Sequence, residues 1–167
     1  MDLSLTQAER KNLKLAFKIL KEWRDKLHID PIWTIRVEVY NSEEAEEGMD
    51  VAFFNLSNAE YFVVVLSLSN DLMLFEEEDF VEAMHDIACH ELVHLSSGDF
   101  YRTAQLSAGD NEQMQKELRY KYEQFTSRMQ KAFMDMHRKV EKIEKSLKKA
   151  KASLKKIDVP VEKETEE

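Results

Sequence analysis

The chain has 167 residues, enough for one domain with a buried core and an appendage, but not for several domains. Its composition, 43% hydrophobic and 34% charged with a net charge of −9, contains no run of about 18 apolar residues, so no transmembrane span is expected. Only three Gly and two Pro point to few tight turns and much helix.

Met1-Asp2-Leu3-Ser4 has neither a basic nor an apolar stretch, so no signal peptide is expected. Thr6-Gln7-Ala8-Glu9 has the capping-box pattern and predicts a helix start. Leu13, Ala16, Phe17, Leu20, Trp23 and Leu27 follow at helical spacing as its buried stripe. The helix should stop near His28, because Pro31 disfavours helical geometry at Asp30. From Trp33 to Tyr40, Ile35, Val37 and Val39 alternate with polar residues, as in a half-buried strand. Residues 41–50 are acidic and polar and read as a loop. Val51–Leu56 predicts a second strand, Ser57-Asn58 a turn, and Tyr61–Leu68 a third, more deeply buried strand. The short connection implies that strands two and three form an antiparallel hairpin.

Ser69-Asn70-Asp71 should end the sheet, and Glu76-Glu77-Glu78-Asp79 should open a helix, acidic residues being favoured in a first turn. Phe80, Val81, Met84, Ile87, Ala88, Leu92 and Leu95 draw its apolar stripe. Ser96-Ser97-Gly98-Asp99 reads as its end, with Gly98 near the C-cap and 99–110 a loop holding a short helix at 101–106. From Asn111 to Lys156 the pattern is helical almost without a break, from Met114 and Leu118 to Leu147 and Leu154. Such a helix would reach about 69 Å and must project, bend or pair with another helix. Residues 158–167 read as a disordered acidic tail.

The second helix contains His90-Glu91-Leu92-Val93-His94, an H-E-x-x-H motif. Residues four apart share a helix face, with Cβ atoms about 5–6 Å apart. That spacing suits two imidazoles on one zinc ion at about 2.0–2.1 Å. Glu91 is turned about 100° from His90, so it flanks the ion, where it can take a proton from a water. A hydrolytic site needs a third protein ligand. Asp99, Glu112, Glu117, Glu123, Asp135 and His137 are candidates. The extended motif with Gly three residues after the second His and His three further on is excluded by Ser97 and Phe100. Glu123 shares a helix face with Glu112 and His137, roughly 16 and 21 Å away along the axis, so at most one of the three can reach the metal. His85 and Cys89 point away from the pair and read as structural and packing residues, Asp86 as a solvated acid. Tyr120, one turn before Glu123, is a candidate hydrogen-bond donor to a developing oxyanion, against the plainer reading of a packing tyrosine.

The sequence resembles the small gluzincin-type metallopeptidases, single-domain proteins often encoded by phages and mobile elements. The resemblance rests on Trp33-Thr34-Ile35-Arg36-Val37, Ala59-Glu60-Tyr61 before an apolar strand, His90-Glu91-Leu92-Val93-His94-Leu95 and Tyr122-Glu123-Gln124-Phe125-Thr126-Ser127-Arg128-Met129. It covers about residues 10–135. It implies an α+β, zincin-like fold with a small, mainly antiparallel sheet, the motif helix and a long C-terminal helix. It also implies one zinc ion on His90, His94 and Glu123, with Glu91 as general base on a peptide or protein substrate. The long basic helix after Met136 departs from the family pattern.

The expected organisation is therefore a metallopeptidase domain at 1–136, a basic helical extension at 137–157, and the tail. Residues 138–156 carry nine Lys/Arg and two Glu, a local +7, which leaves −16 on the rest. That acidic body argues against a nucleic-acid-binding catalytic face. The single cysteine, Cys89, cannot form an internal disulfide, which fits a reducing, cytoplasmic setting. A second expectation is a catalytically latent zinc protein that acts as an interaction module, as a homo-oligomer or with a helical partner through residues 111–156. A third is a nucleic-acid-associated factor using residues 138–156.

Overall fold

The first helix, α1 (Gln7–Lys26), begins at the capping box: the Thr6 hydroxyl accepts from the Glu9 amide, and the Glu9 carboxylate accepts from the Thr6 amide. It ends where His28 takes a positive φ of 51°. Its buried stripe is Asn12, Ala16, Ile19, Leu20 and Trp23. Phe17, expected in that stripe, is 47% exposed. The face is rotated toward Asn12, whose amide donates to the carbonyls of Met73 and Phe75, both at 3.0 Å. A polar side chain thus takes a core position because two carbonyls at and just beyond the end of the short helix Asn70–Met73 lie beneath it.

In this computed structural model, residues 5–44, 51–55 and 62–154 are described. Among them the fold is α+β, with four α-helices, one 3-10 turn (Ser42–Glu44) and a mixed three-stranded sheet. The strands are β1 (Thr34–Tyr40), β2 (Ala52–Asn55) and β3 (Val63–Ser69), in the order β1-β3-β2. β2 and β3 are antiparallel, with Phe54 opposite Leu66. β1 runs parallel to β3, with Val37 opposite Leu66. β3 is central, and its Val64, Leu66 and Leu68 are fully buried. The turn expected at Ser57-Asn58, the Ala59-Glu60-Tyr61 segment and the 158–167 tail lie outside the described residues.

Ser69 ends β3, as expected, and caps a short helix, α2 (Asn70–Met73), that the sequence did not suggest. The motif helix, α3, spans Glu77–Ala108 as one unbroken run of 32 residues. The expected stop at Gly98 and the loop at 99–110 are therefore corrected. The hydroxyls of Ser96 and Ser97 fold back onto the Val93 carbonyl, so neither competes for a cap. The terminating glycine is Gly109, whose φ of 55° is a backbone conformation that side-chain-bearing residues rarely adopt. Phe80, Met84, Ala88 and Leu92 are fully buried, as the stripe predicts. α1 packs along α3, and β2 touches it as well.

The last helix, α4, runs from Glu112 to Leu154, 43 residues. The chain divides into two units between Lys131 and Ala132, inside this helix. The first unit holds α1 to α3, the sheet and α4 as far as Lys131. There α4 runs antiparallel to α3: Tyr122 bonds to the His94 carbonyl and, two turns on, Gln130 bonds to the Asp86 carbonyl. No described helix is long and apolar enough to cross a membrane.

Candidate metal centre

The buried stripe of α3 fixes which side of that helix faces the core. His90 and His94 fall beside the stripe, with side chains 26% and 17% exposed. Their Nε2 atoms point at each other, 3.0 Å apart. Glu123, from α4, brings Oε2 to 3.3 Å from His94 Nε2 and 3.8 Å from His90 Nε2. Among the described residues, this is the group of three or more His, Cys, Asp or Glu whose ligand atoms converge, all within 4.8 Å of one another.

The triangle can be compared with a coordination sphere. Bonds of about 2.0–2.1 Å at tetrahedral angles place neighbouring donors about 3.3 Å apart. The observed edges of 3.0, 3.3 and 3.8 Å bracket that value. Two neutral nitrogens and one carboxylate oxygen are a donor set that zinc accepts. Glu123 is half exposed, so the triangle faces solvent on one side.

The outer nitrogens of both rings are held. The Gln130 amide donates from Nε2 to the Asp86 carbonyl at 3.1 Å, which fixes its Oε1 as an acceptor. That oxygen lies 3.1 Å from His90 Nδ1, where it accepts a hydrogen bond in the tautomer that leaves Nε2 for a metal. His94 Nδ1 lies 3.3 Å from the hydroxyl of Thr126, which is fully buried. Burial lowers the His94 pKa, more than the nearby Glu123 raises it, so the ring is neutral at neutral pH. A neutral imidazole with Nδ1 engaged is the form in which Nε2 binds a metal.

Tyr122 closes one flank. Its hydroxyl donates to the His94 carbonyl at 2.9 Å and lies 3.1 Å from the Ser97 hydroxyl. Burial raises its pKa, which keeps it a donor. Its ring sits 4.9 Å from that of His94 and stacks on Tyr101 at 4.2 Å. Glu91 is buried, and its Oε2 accepts from the Phe54 amide of β2 at 3.0 Å. The acid one residue after His90 is thus tied to an edge strand of the sheet.

Other candidates fall elsewhere. Tyr120 is 61% exposed and its hydroxyl accepts from Gln124, with no described bond to His90, Glu91, His94 or Glu123. Glu117 accepts from Gln113, Asp135 pairs with Arg138, and His137 faces Glu141. Glu112 is exposed, and the side chain of Asp99 lies outside the described residues. His85 accepts from the Trp23 indole at 3.0 Å, a packing role. Cys89 is fully buried, and burial pushes its thiol up to about 12. Gln130 and Thr126 escaped the sequence reading. Their signal is faint: they lie seven and three residues after Glu123, on its face of the helix, where polar residues ordinarily read as solvent-facing.

No family model, no curated protein and no solved structure matches this chain.

Proposed function

We propose that this chain is a zinc-dependent metallopeptidase with a minimal zincin-like fold of the gluzincin type. The observation that carries the reading is the convergence of His90, His94 and Glu123 from two helices, with Glu91 beside them. Zinc held by these three residues would supply a Lewis acid for the scissile carbonyl and lower the pKa of a water toward about 7. Glu91 takes the proton of the attacking water and delivers it to the leaving amine. The Phe54 amide orients the Glu91 carboxylate for that transfer. Gln130 and Thr126 hold the imidazoles with Nε2 forward. β3 is interior, so the edge available to an extended peptide beside Glu91 is β2, by strand addition.

The test combines metal analysis with cleavage of casein or a peptide library. Wild type should carry one zinc per chain; His94→Ala and Glu123→Ala should bind it at least 10–100-fold more weakly. Glu91→Gln should keep the metal and lose about 10²–10⁴-fold in rate. A wild-type chain that takes up no zinc, or a Glu91→Gln variant as active as wild type, overturns the proposal. Zinc uptake without cleavage would favour the latent interaction module, for which the exposed apolar residues of α4 speak.

A further inference from the structure

The second unit of the chain carries a feature that the metal centre does not use. Along α4, Met134 and His137 lie three residues apart on one face of the helix. Phe133, Met136, Val140, Ile143, Leu147 and Ala150 form a different stripe, turned roughly a third of a turn from the first at 100° per residue. Met136, Val140, Ile143 and Leu147 are 56%, 46%, 67% and 53% exposed. Their spacing alternates three and four residues without interruption, the a and d positions of a heptad repeat. A single surface helix has no physical need of such a stripe, and a run of exposed apolar residues marks a contact surface.

The charges beside the stripe say what covers it. In this register Lys139 is at g and Glu144 is at the following e position, five residues on. In a parallel, in-register pair of these helices each g residue faces the e residue of the other chain, so Lys139 meets Glu144 twice. Neither residue forms an ion pair with another described residue. The antiparallel register over the same six positions sets Lys139 against Ser146 and offers no Lys–Glu pair. The outward positions carry Arg138, Lys142, Lys145, Lys148 and Lys149, which keep the rest of the helix surface in water.

We propose that residues 133–150 form a parallel two-stranded coiled coil with a second copy of this chain. The reading is independent of the metal centre. Sedimentation equilibrium of the full chain at about 100 µM should give twice the 19.7 kDa chain mass. Ile143→Asp should leave a monomer with unchanged helix content and zinc uptake, since position 143 is exposed in the single chain. Lys139→Glu and Glu144→Lys should each weaken the dimer about tenfold, and the double exchange should restore it. Ile143→Cys should crosslink to itself on oxidation, whereas the outward Lys145→Cys should not. A monomer at that concentration, a mass of three or four chains, a dimer indifferent to Ile143→Asp, or a double exchange that fails to restore association overturns the proposal.

Discussion

Gln130→Leu isolates the support of one imidazole. The substitution is close in volume and leaves His90, His94 and Glu123 untouched. It removes the acceptor 3.1 Å from His90 Nδ1 and the donor 3.1 Å from the Asp86 carbonyl. The Asp86 carbonyl lies inside α3 and keeps its helical bond, so its loss costs little. The His90 ring loses more: a metal-bound imidazole is the more acidic partner, and a hydrogen bond to a charged group contributes about 1.5–3 kcal/mol. That range corresponds to roughly 10–100-fold in zinc affinity, the usual cost of removing an outer partner of a ligating histidine. Thr126→Val should cost less, because its oxygen is 3.3 Å from His94 Nδ1. Gln130→Glu, which keeps the acceptor and adds charge, should bind zinc at least as tightly as wild type. The assay is competition for zinc against a chromophoric chelator, with circular dichroism as a control for folding. A Gln130→Leu variant within about threefold of wild type, while Glu123→Ala is impaired, would refute the reasoning.

Three further measurements probe the fold. Gly98 sits inside α3 with nothing within 4 Å of an added Cβ, so Gly98→Ala should stabilise the chain by about 0.5–1 kcal/mol in urea unfolding. Gly109→Ala, at a φ of 55°, should destabilise it by about 1 kcal/mol or more, and equal effects at the two sites would contradict the helix boundaries. Cys89, with its thiol near 12 and fully buried, should react with a disulfide reagent at pH 8 only after denaturation, so rapid labelling of the native chain would place it outside the core. His94 has a lowered pKa in the folded chain, so its contribution to metal-free stability is fully present above the unfolded value of about 6.5 and is lost as pH falls below it. Metal-free chain should therefore unfold at lower urea at pH 5.5 than at pH 7.5, and His94→Gln should reduce that difference.

Local patterns proved readable where one residue and its near neighbours decide the structure. The Thr6–Glu9 box, the stop near His28 and the apolar stripe from Phe80 to Leu92 are of this kind. Gly98 misled for the same reason: Ser-Ser-Gly-Asp satisfies the local rule for a helix end, yet the two serines bond back to Val93 and the helix continues for ten more residues. Whether β1 lies parallel or antiparallel to β3 depends on a crossover, which no period in the sequence encodes. Asn12 displaced Phe17 from the core because of carbonyls some 60 residues away. The pairing of His90 with His94 was legible because a helical turn is short-range geometry, whereas Glu123, on another helix, was one of six candidates by spacing and was singled out only by the resemblance. The supports of the two imidazoles, Gln130 and Thr126, were not legible, since only the packing of α4 against α3 gives those polar side chains a purpose.

Two of the three donor side chains sit on α3 and the third on α4, and α4 is otherwise joined to α3 there by few side-chain hydrogen bonds, those of Tyr122, Thr126 and Gln130 among them. An ion seated between them works as a rivet between two helices. The stability of the chain should then track free zinc, rising by about 2.7 kcal/mol at a hundred times the dissociation constant, with the melting temperature rising accordingly. On the proposed function, starvation for the metal would loosen the seam between these helices at the same moment as it removes the Lewis acid.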